Sequence, residues 1–384
     1  MSDAPHLFVI AGEPSGDRLG AALMDGLAEL APGTRVDGIG GPEMEARGLA
    51  SLFPMDRLSV MGLAEVLPRL PELLSLRDRA AAAALEADVD ALVTIDSPDF
   101  TLRVARKVRA ARPDLPVIHY VAPSVWAWRP ARAERMASVV DHVLALLPFE
   151  PPYMEAAGMT CDFVGHPAVA MPRASAEAAR AFRARLGDPA RIALVLPGSR
   201  QGEVARLMPL FGEALRQLPA DARVVVPTVA SVADRVRAGV AGWPGDPVVL
   251  VDPADRLAAF AAADAALAAS GTVSLELAAN GVPMVIAYDM NWFSRALLSR
   301  MLKVDTVTLV NLVSESRAVP EFLGRDCRPG PVGAAFARLL TVPSLREAQR
   351  AALDLTMDRL GRGGPPPGQR AARSVLQALR ARGR

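Results

Sequence analysis

The chain has 384 residues, 51% of them hydrophobic and 22% charged, with a formal net charge of +1. That length exceeds one comfortable core, so two domains are expected, with apolar content enough to bury both. The near-neutral balance argues against bulk attraction to nucleic acid, and two cysteines with no CxxC or Cys/His cluster argue against a zinc site or a disulfide framework.

The first residues, Met1 to His6, run into an apolar segment and carry no signal-peptide pattern. No apolar stretch reaches spanning length, because Asp141 and His142 interrupt 139–149 and Asp264 interrupts 257–269. The expectation is a soluble protein, or one lying on a membrane surface, in a reducing compartment.

Strands are predicted at 7–11, 35–39, 91–95, 117–121, 142–147, 192–196, 223–227, 248–252, 283–288 and 306–310. Helical periodicity falls between most of them, as at 16–30, where Leu19, Leu23, Leu27 and Leu30 share one face. A helix from about Glu203 carries Val204, Leu207, Met208, Phe211, Leu215 and Leu218 on one face. Such alternation predicts α/β architecture: two Rossmann-like, doubly wound domains facing a central cleft. The Pro-rich stretch 165–175 marks the boundary, giving domains at 1–166 and 174–345. Residues 361–368 read as a linker, and 346–384 as C-terminal helices and a basic tail outside the second domain, with the first domain one place for them to pack.

Ligands of open parallel sheets bind beyond the carboxyl ends of the strands. After the first strand, Gly12, Glu13, Ser15, Gly16 and Asp17 form a small-residue loop opening a helix; turn chemistry explains it equally. It is neither a dinucleotide fingerprint nor a Walker loop. Gly38, Gly40 and Gly41 follow the second strand as a partial GxG, which close backbone packing also explains. Asp96 ends the third strand, where a carboxylate can serve as general base or cap a turn. Asp99 reads as an N-cap. The loop after the fourth strand holds Ser124, Trp126, Trp128, Arg129 and Arg132, a wall for a sugar or acyl chain, or a core plug. His119 and His166 lack metal-ligand spacing and read as structural.

In the second half, Gly198, Ser199 and Arg200 join a strand to a helix, bringing unpaired N–H groups and a planar cation to one point suited to phosphate. Ser270, Gly271 and Thr272 open a helix bearing Glu276, which can accept from two ribose hydroxyls. Together these loops describe a nucleotide-diphosphate site needing no metal and no cofactor. Residues 60–77 are very apolar, with Val60, Met61, Leu63, Val66, Leu67, Leu70, Leu73 and Leu74 available to lipid tails or to a core. Pro68 and Pro71 are expected to break or kink a helix there. Residues 359–384 hold seven arginines and no acid, a surface for anionic lipid or a solvated helix face.

Taken together, Ala11–Asp17, Ser59–Val66, Ile95–Phe100, Ile118–Arg129, Leu196–Arg200, Ala269–Thr272 with Glu276, and Lys303–Leu312 resemble the lipid-A-disaccharide synthase family, glycosyltransferases of the two-domain GT-B fold. The resemblance implies an inverting transfer from UDP-2,3-diacylglucosamine to 2,3-diacylglucosamine 1-phosphate, giving a β-1,6 disaccharide 1-phosphate and UDP. Asp96 is then the base, Arg200, Glu276 and Asn311 hold UDP, and 60–77 meets lipid at the cytoplasmic membrane face. Pro14 and Val310 depart from the family's usual residues, as do Pro68 and Pro71, which leave the mode of membrane contact open. A homodimer is compatible with the sequence, which sets no oligomeric state. Two alternatives share the pattern: a UDP-sugar 2-epimerase and a non-catalytic nucleotide- or lipid-binding protein.

Overall fold

In a computed structural model, residues 4–58, 63–127, 131–289 and 305–383 are described, residues 63–67 by their backbone alone. The described residues fall into two compact units, one within Met1–Pro167 and Gly363–Arg384, the other within Ala168–Arg362.

Each unit is built on a parallel six-stranded sheet. In the first, β1 (His6–Ala11), β2 (Arg35–Ile39), β3 (Ala91–Ile95), β4 (Val117–Tyr120), β5 (His142–Ala145) and β6 (Thr160–Phe163) lie in the order β2-β1-β3-β4-β5-β6. In the second, β7 (Arg191–Leu196), β8 (Ala222–Pro227), β9 (Val248–Leu250), β10 (Ala265–Ala269), β11 (Met284–Tyr288) and β12 (Glu321–Leu323) lie in the order β12-β11-β10-β7-β8-β9. Both are Rossmann-like: the order reverses between β1 and β3, and again between β7 and β10. Such reversal points leave a crevice at the carboxyl ends of the strands. The central strands are apolar throughout because helices cover both faces; Leu7, Val9, Leu92, Val93, Leu194 and Val195 are fully buried.

Three strands are absent from the sequence prediction. β6 and β12 are short edge strands, partly exposed and mixed in polarity, so no continuous apolar run announces them. β10 is Ala265-Ala-Leu-Ala-Ala269, whose alanines favour helix; burial between β7 and β11 overrides that preference. The strand predicted at 306–310 is instead a turn entering the helix Leu309–Ser314. The Glu321 carboxylate holds the turn, accepting from Val307 N–H at 3.2 Å, Thr308 N–H at 3.1 Å and Thr308 Oγ1–H at 2.7 Å.

The helix Leu63–Glu86 runs through Pro68 and Pro71, where a break or a kink was expected; it does not break. Each proline removes one N–H bond and crowds one carbonyl. Both prolines are exposed, on one side of the helix, so both displaced carbonyls can turn to water while the apolar side, through Leu76 and Ala80, stays buried.

Helix Pro343–Arg359 belongs to the second unit, whereas helix Pro367–Arg380 packs along helix Pro14–Leu30 in the first. Glycines permit that approach. A Cβ on Gly26 would lie 2.6 Å from Gly368 O, and one on Gly368 would lie 2.2 Å from Ala22 O.

Candidate active site

In the first unit, three loops leave the carboxyl ends of the adjacent strands β1, β3 and β4, where Ile95 pairs with Ala11 on one side and Tyr120 on the other. Asp96 and Ser97 are both left-handed, with φ of 49° and 42°. That backbone is unfavourable for side-chain-bearing residues, by about 1–3 kcal/mol each. Surrounding bonds hold it. Asp96 N–H donates to Tyr120 O at 2.9 Å, Thr101 Oγ1–H to Asp96 O at 2.8 Å, and Ser97 N–H to Asp96 Oδ1 at 2.8 Å. The half-buried Asp96 carboxylate is thus aimed by its own turn.

The loop after β1 packs on this turn. A Cβ on Gly12 would lie 2.7 Å from Ser97 Oγ, and one on Gly16 would lie 3.4 Å from Ile95 O. Glu13, half-buried, and Ser15, exposed, head the helix Pro14–Leu30. Asp17 turns away and is structural. Buried, it accepts from the N–H groups of Gly41, Glu43 and Met44 at 2.8, 2.9 and 3.1 Å, capping the helix Pro42–Glu45. Close packing accounts for the glycines after β2: Gly38 has φ of 145°, and its Cβ would fall 1.8 Å from Val9 O.

The loop after β4 begins with Val121 at φ 87°, a rare backbone for a β-branched residue. Ser124 is exposed. The half-buried Trp126 ring meets Phe149 edge-on at 5.2 Å and donates through Nε1–H to Glu150 Oε1 at 3.3 Å. Trp128 and Arg129 lie outside the described residues. Glu150 is buried and also accepts, through Oε2, from Leu146 N–H at 3.1 Å and Leu147 N–H at 3.0 Å. Burial pushes its carboxyl up to about 7, against the pull of these donors. His119 is buried, its Nδ1 2.8 Å from Thr94 Oγ1, and desolvation together with Arg132 lowers it to about 4. Burial likewise lowers His166 to about 4 and raises the Cys161 and Cys327 thiols to about 12 and about 11. At such values these imidazoles and thiols are neutral near pH 7.

In the second unit, the loops after β7 and β10 flank the reversal point, and Ala268 pairs with Leu196 just before both turns. Gly198 has φ of 110°; Ser199 and Arg200 are exposed, and Arg200 is the N-cap of the helix Gln201–Ala214. The Glu203 carboxylate already sits at this helix end, accepting from Ser199 N–H at 3.3 Å. One acid therefore shares this helix end with the arginine. Ser270 is half-buried, while Gly271 and Thr272 are exposed at the start of the helix Val273–Ala279. Glu276, one turn on, is paired with Arg256, whose guanidinium lies 5.3 Å over the Phe260 ring.

Asn311 is a different case from the ligand contact that was expected. Its side chain is fully buried, donating through Nδ2 to Val319 O at 2.9 Å and Thr306 Oγ1 at 3.3 Å, and accepting at Oδ1 from Val319 N–H at 3.0 Å. Both amide hydrogens are spent on the turn, which leaves Asn311 a clamp on the 306–320 backbone.

Of the apolar residues assigned to lipid, Val60 and Met61 lie outside the described residues, as do the side chains of Leu63, Val66 and Leu67. Leu70 is 40% exposed, unusual for a large apolar side chain, while Leu73 and Leu74 are half-buried. The sequence reading passed over Glu203, Arg256 and Tyr288. Tyr288 ends β11 beside β10, and burial, then the nearby Glu203, raises its hydroxyl. The strand-end rule applied to β11 would have found it. Arg256 carries no local signal, since only the fold brings it to Glu276.

Comparison with known proteins gives a consistent picture. Residues 7–361 match the model of a family described as lipid-A-disaccharide synthetase. The chain is 59% identical over 387 residues to a lipid-A-disaccharide synthase of Ruegeria pomeroyi, covering 97% of this chain and 95% of that one. Among solved structures it is similar to a putative UDP-N-acetylglucosamine 2-epimerase of Listeria monocytogenes, with a TM-score of 0.62, 13% identity, and 99% and 96% of the two chains covered. It is also similar to MurG of Acinetobacter baumannii, with a TM-score of 0.57, 16% identity, and 98% and 99% covered. At such identities the two structures speak to the fold alone.

Proposed function

Because the chain belongs to the lipid-A-disaccharide synthase family and is a glycosyltransferase, we propose that it transfers 2,3-diacylglucosamine from UDP to the 6-hydroxyl of 2,3-diacylglucosamine 1-phosphate. The products are a β-1,6-linked disaccharide 1-phosphate and UDP. Asp96 takes the hydroxyl proton as the oxygen attacks the anomeric carbon from the face opposite the diphosphate. The bond to the diphosphate oxygen breaks in the same displacement, so the configuration inverts. Arg200 and the N–H groups of the loops after β7 and β10 receive the charge that develops on the leaving group. Glu276, oriented by Arg256, accepts from the ribose. Asn311 contributes by holding the neighbouring turn. Glu13, Ser15 and Gly16 on the loop after β1, and Ser124 and Trp126 on the loop after β4, serve the acceptor side.

The chief support is Asp96 itself, a carboxylate held at a strand end beside the first sheet's reversal point by three hydrogen bonds in its turn. No described helix is long and apolar enough to cross a membrane. The exposed Leu70 supports contact with lipid tails at the surface of the cytoplasmic membrane. Mass spectrometry of donor incubated with and without acceptor tests the reaction. Disaccharide forms only with both substrates; conversion of donor alone would make the protein an epimerase. Asp96→Ala should cut turnover about 10²- to 10⁴-fold with UDP affinity kept, and Arg200→Ala should weaken UDP binding. Normal turnover in the first variant removes Asp96 as the base.

A further inference from the structure

The buried carboxylate of Glu150 ties the end of β5 to the loop that follows β4, the neighbour of the strand that carries Asp96. Its Oε2 accepts from the N–H groups of Leu146 and Leu147, where β5 ends, and its Oε1 accepts from Trp126, five residues beyond Val121. Phe149, its neighbour in sequence, supplies the edge contact to the same indole. One dipeptide therefore grips Trp126 twice. The gripped loop is strained at its root, where Val121 is left-handed, and a strained loop keeps its shape only when something outside it holds it. The residue before that root, Tyr120, accepts the Asp96 N–H bond through its carbonyl. Among the described residues the side chain meets three N–H donors, a socket for a carboxylate, and a buried ion is retained only where its bonds are met.

We propose that Glu150 is a positioning residue for the transfer reaction: through Trp126 it fixes residues 121–127, after β4, in the shape that receives the acceptor sugar beside Asp96. The inference rests on the transferase reading above. Glu150→Gln isolates the effect. The amide oxygen can keep both backbone N–H bonds, but its NH2 group then faces the indole N–H, so the Trp126 bond is lost while the turn stays capped. Trp126→Phe deletes the same bond from the other side and keeps the ring edge on Phe149.

Acceptor and donor kinetics, with UDP affinity, would be measured for wild type, both single variants and the double variant. Each single change is expected to lower kcat/KM for the acceptor roughly tenfold, the scale of one hydrogen bond to a charged group, and to leave UDP affinity unchanged. The double variant should be no worse than either single one. If both single variants keep wild-type acceptor kinetics, or if their losses multiply in the double variant, Glu150 does not act through Trp126. If Glu150→Gln does not fold, Trp126→Phe decides alone, with unchanged acceptor kinetics overturning the inference. A wild-type protein that makes no disaccharide would instead overturn the transferase reading.

Discussion

At the scale of single residues, burial decides which titratable groups meet water and which are enclosed. Asp96 is half-buried at a strand end and aimed by its turn, whereas His119, one strand away, is fully enclosed and spent on Thr94. His119 stays neutral in the fold down to about 4, against 6.5 for the exposed group. Between those values the unfolded chain binds the extra proton, so stability rises with pH there and is lost as pH falls through the window. Unfolding free energies of wild type and His119→Gln at pH 5 and pH 7.5 should show it. Relative to the variant, wild type should lose about 2 kcal/mol at the lower pH. Glu150 carries the opposite slope, its raised carboxyl making the fold less stable as pH rises from 4.5 to about 7; comparison with the His119 variant cancels that common contribution. The strand ends before Asp96 and Arg200 were legible, because Asp96 directly follows an apolar run and Arg200 closes the short turn after one. The burial of Asn311 was not, since its partners, Thr306 and Val319, come together only when the turn closes.

Among elements, the turn between residues 305 and 321 shows how a side chain can overrule local pattern. Residues 306–310 alternate enough to suggest a strand, yet Glu321 gathers their N–H groups and Asn311 ties the turn to Val319 from the inside. Asn311→Ala strands the Val319 N–H and C=O without partners in a buried place. The second unit should lose about 2–4 kcal/mol in a denaturant melt, and a purely ligand-binding asparagine would leave the melt unmoved. The helix Leu63–Glu86 teaches the converse. Its prolines point to a break, but both stand on one exposed side, and the burial of Leu76, Ala80 and Ala84 carries the helix across them.

For the molecule as a whole, the chain closes its first unit with its last helix. Helix Pro367–Arg380 buries Ala371, Ala372, Val375 and Leu379 within the first unit's core, where Gly26 and Gly368 let the two backbones meet. Gly26→Leu should pry that helix away, lowering the first unit's unfolding transition by about 2–4 kcal/mol while the second unit's stays where it was. Calorimetry separates the two, and a single transition shifted as a block would contradict independent units. From the residues alone came the parallel α/β architecture, most of its strands, the turns that carry Asp96 and Arg200, and the helix start that leads to Glu276. These are local matters, because an apolar run, a turn and a helix start lie together in the chain. Only the tertiary structure decided that Arg256 meets Glu276, that Glu150 grips Trp126, that 265–269 is a strand, and that the terminal helix serves the first unit. Those pairings join residues far apart in sequence, and no local preference encodes a partner that folding alone brings near.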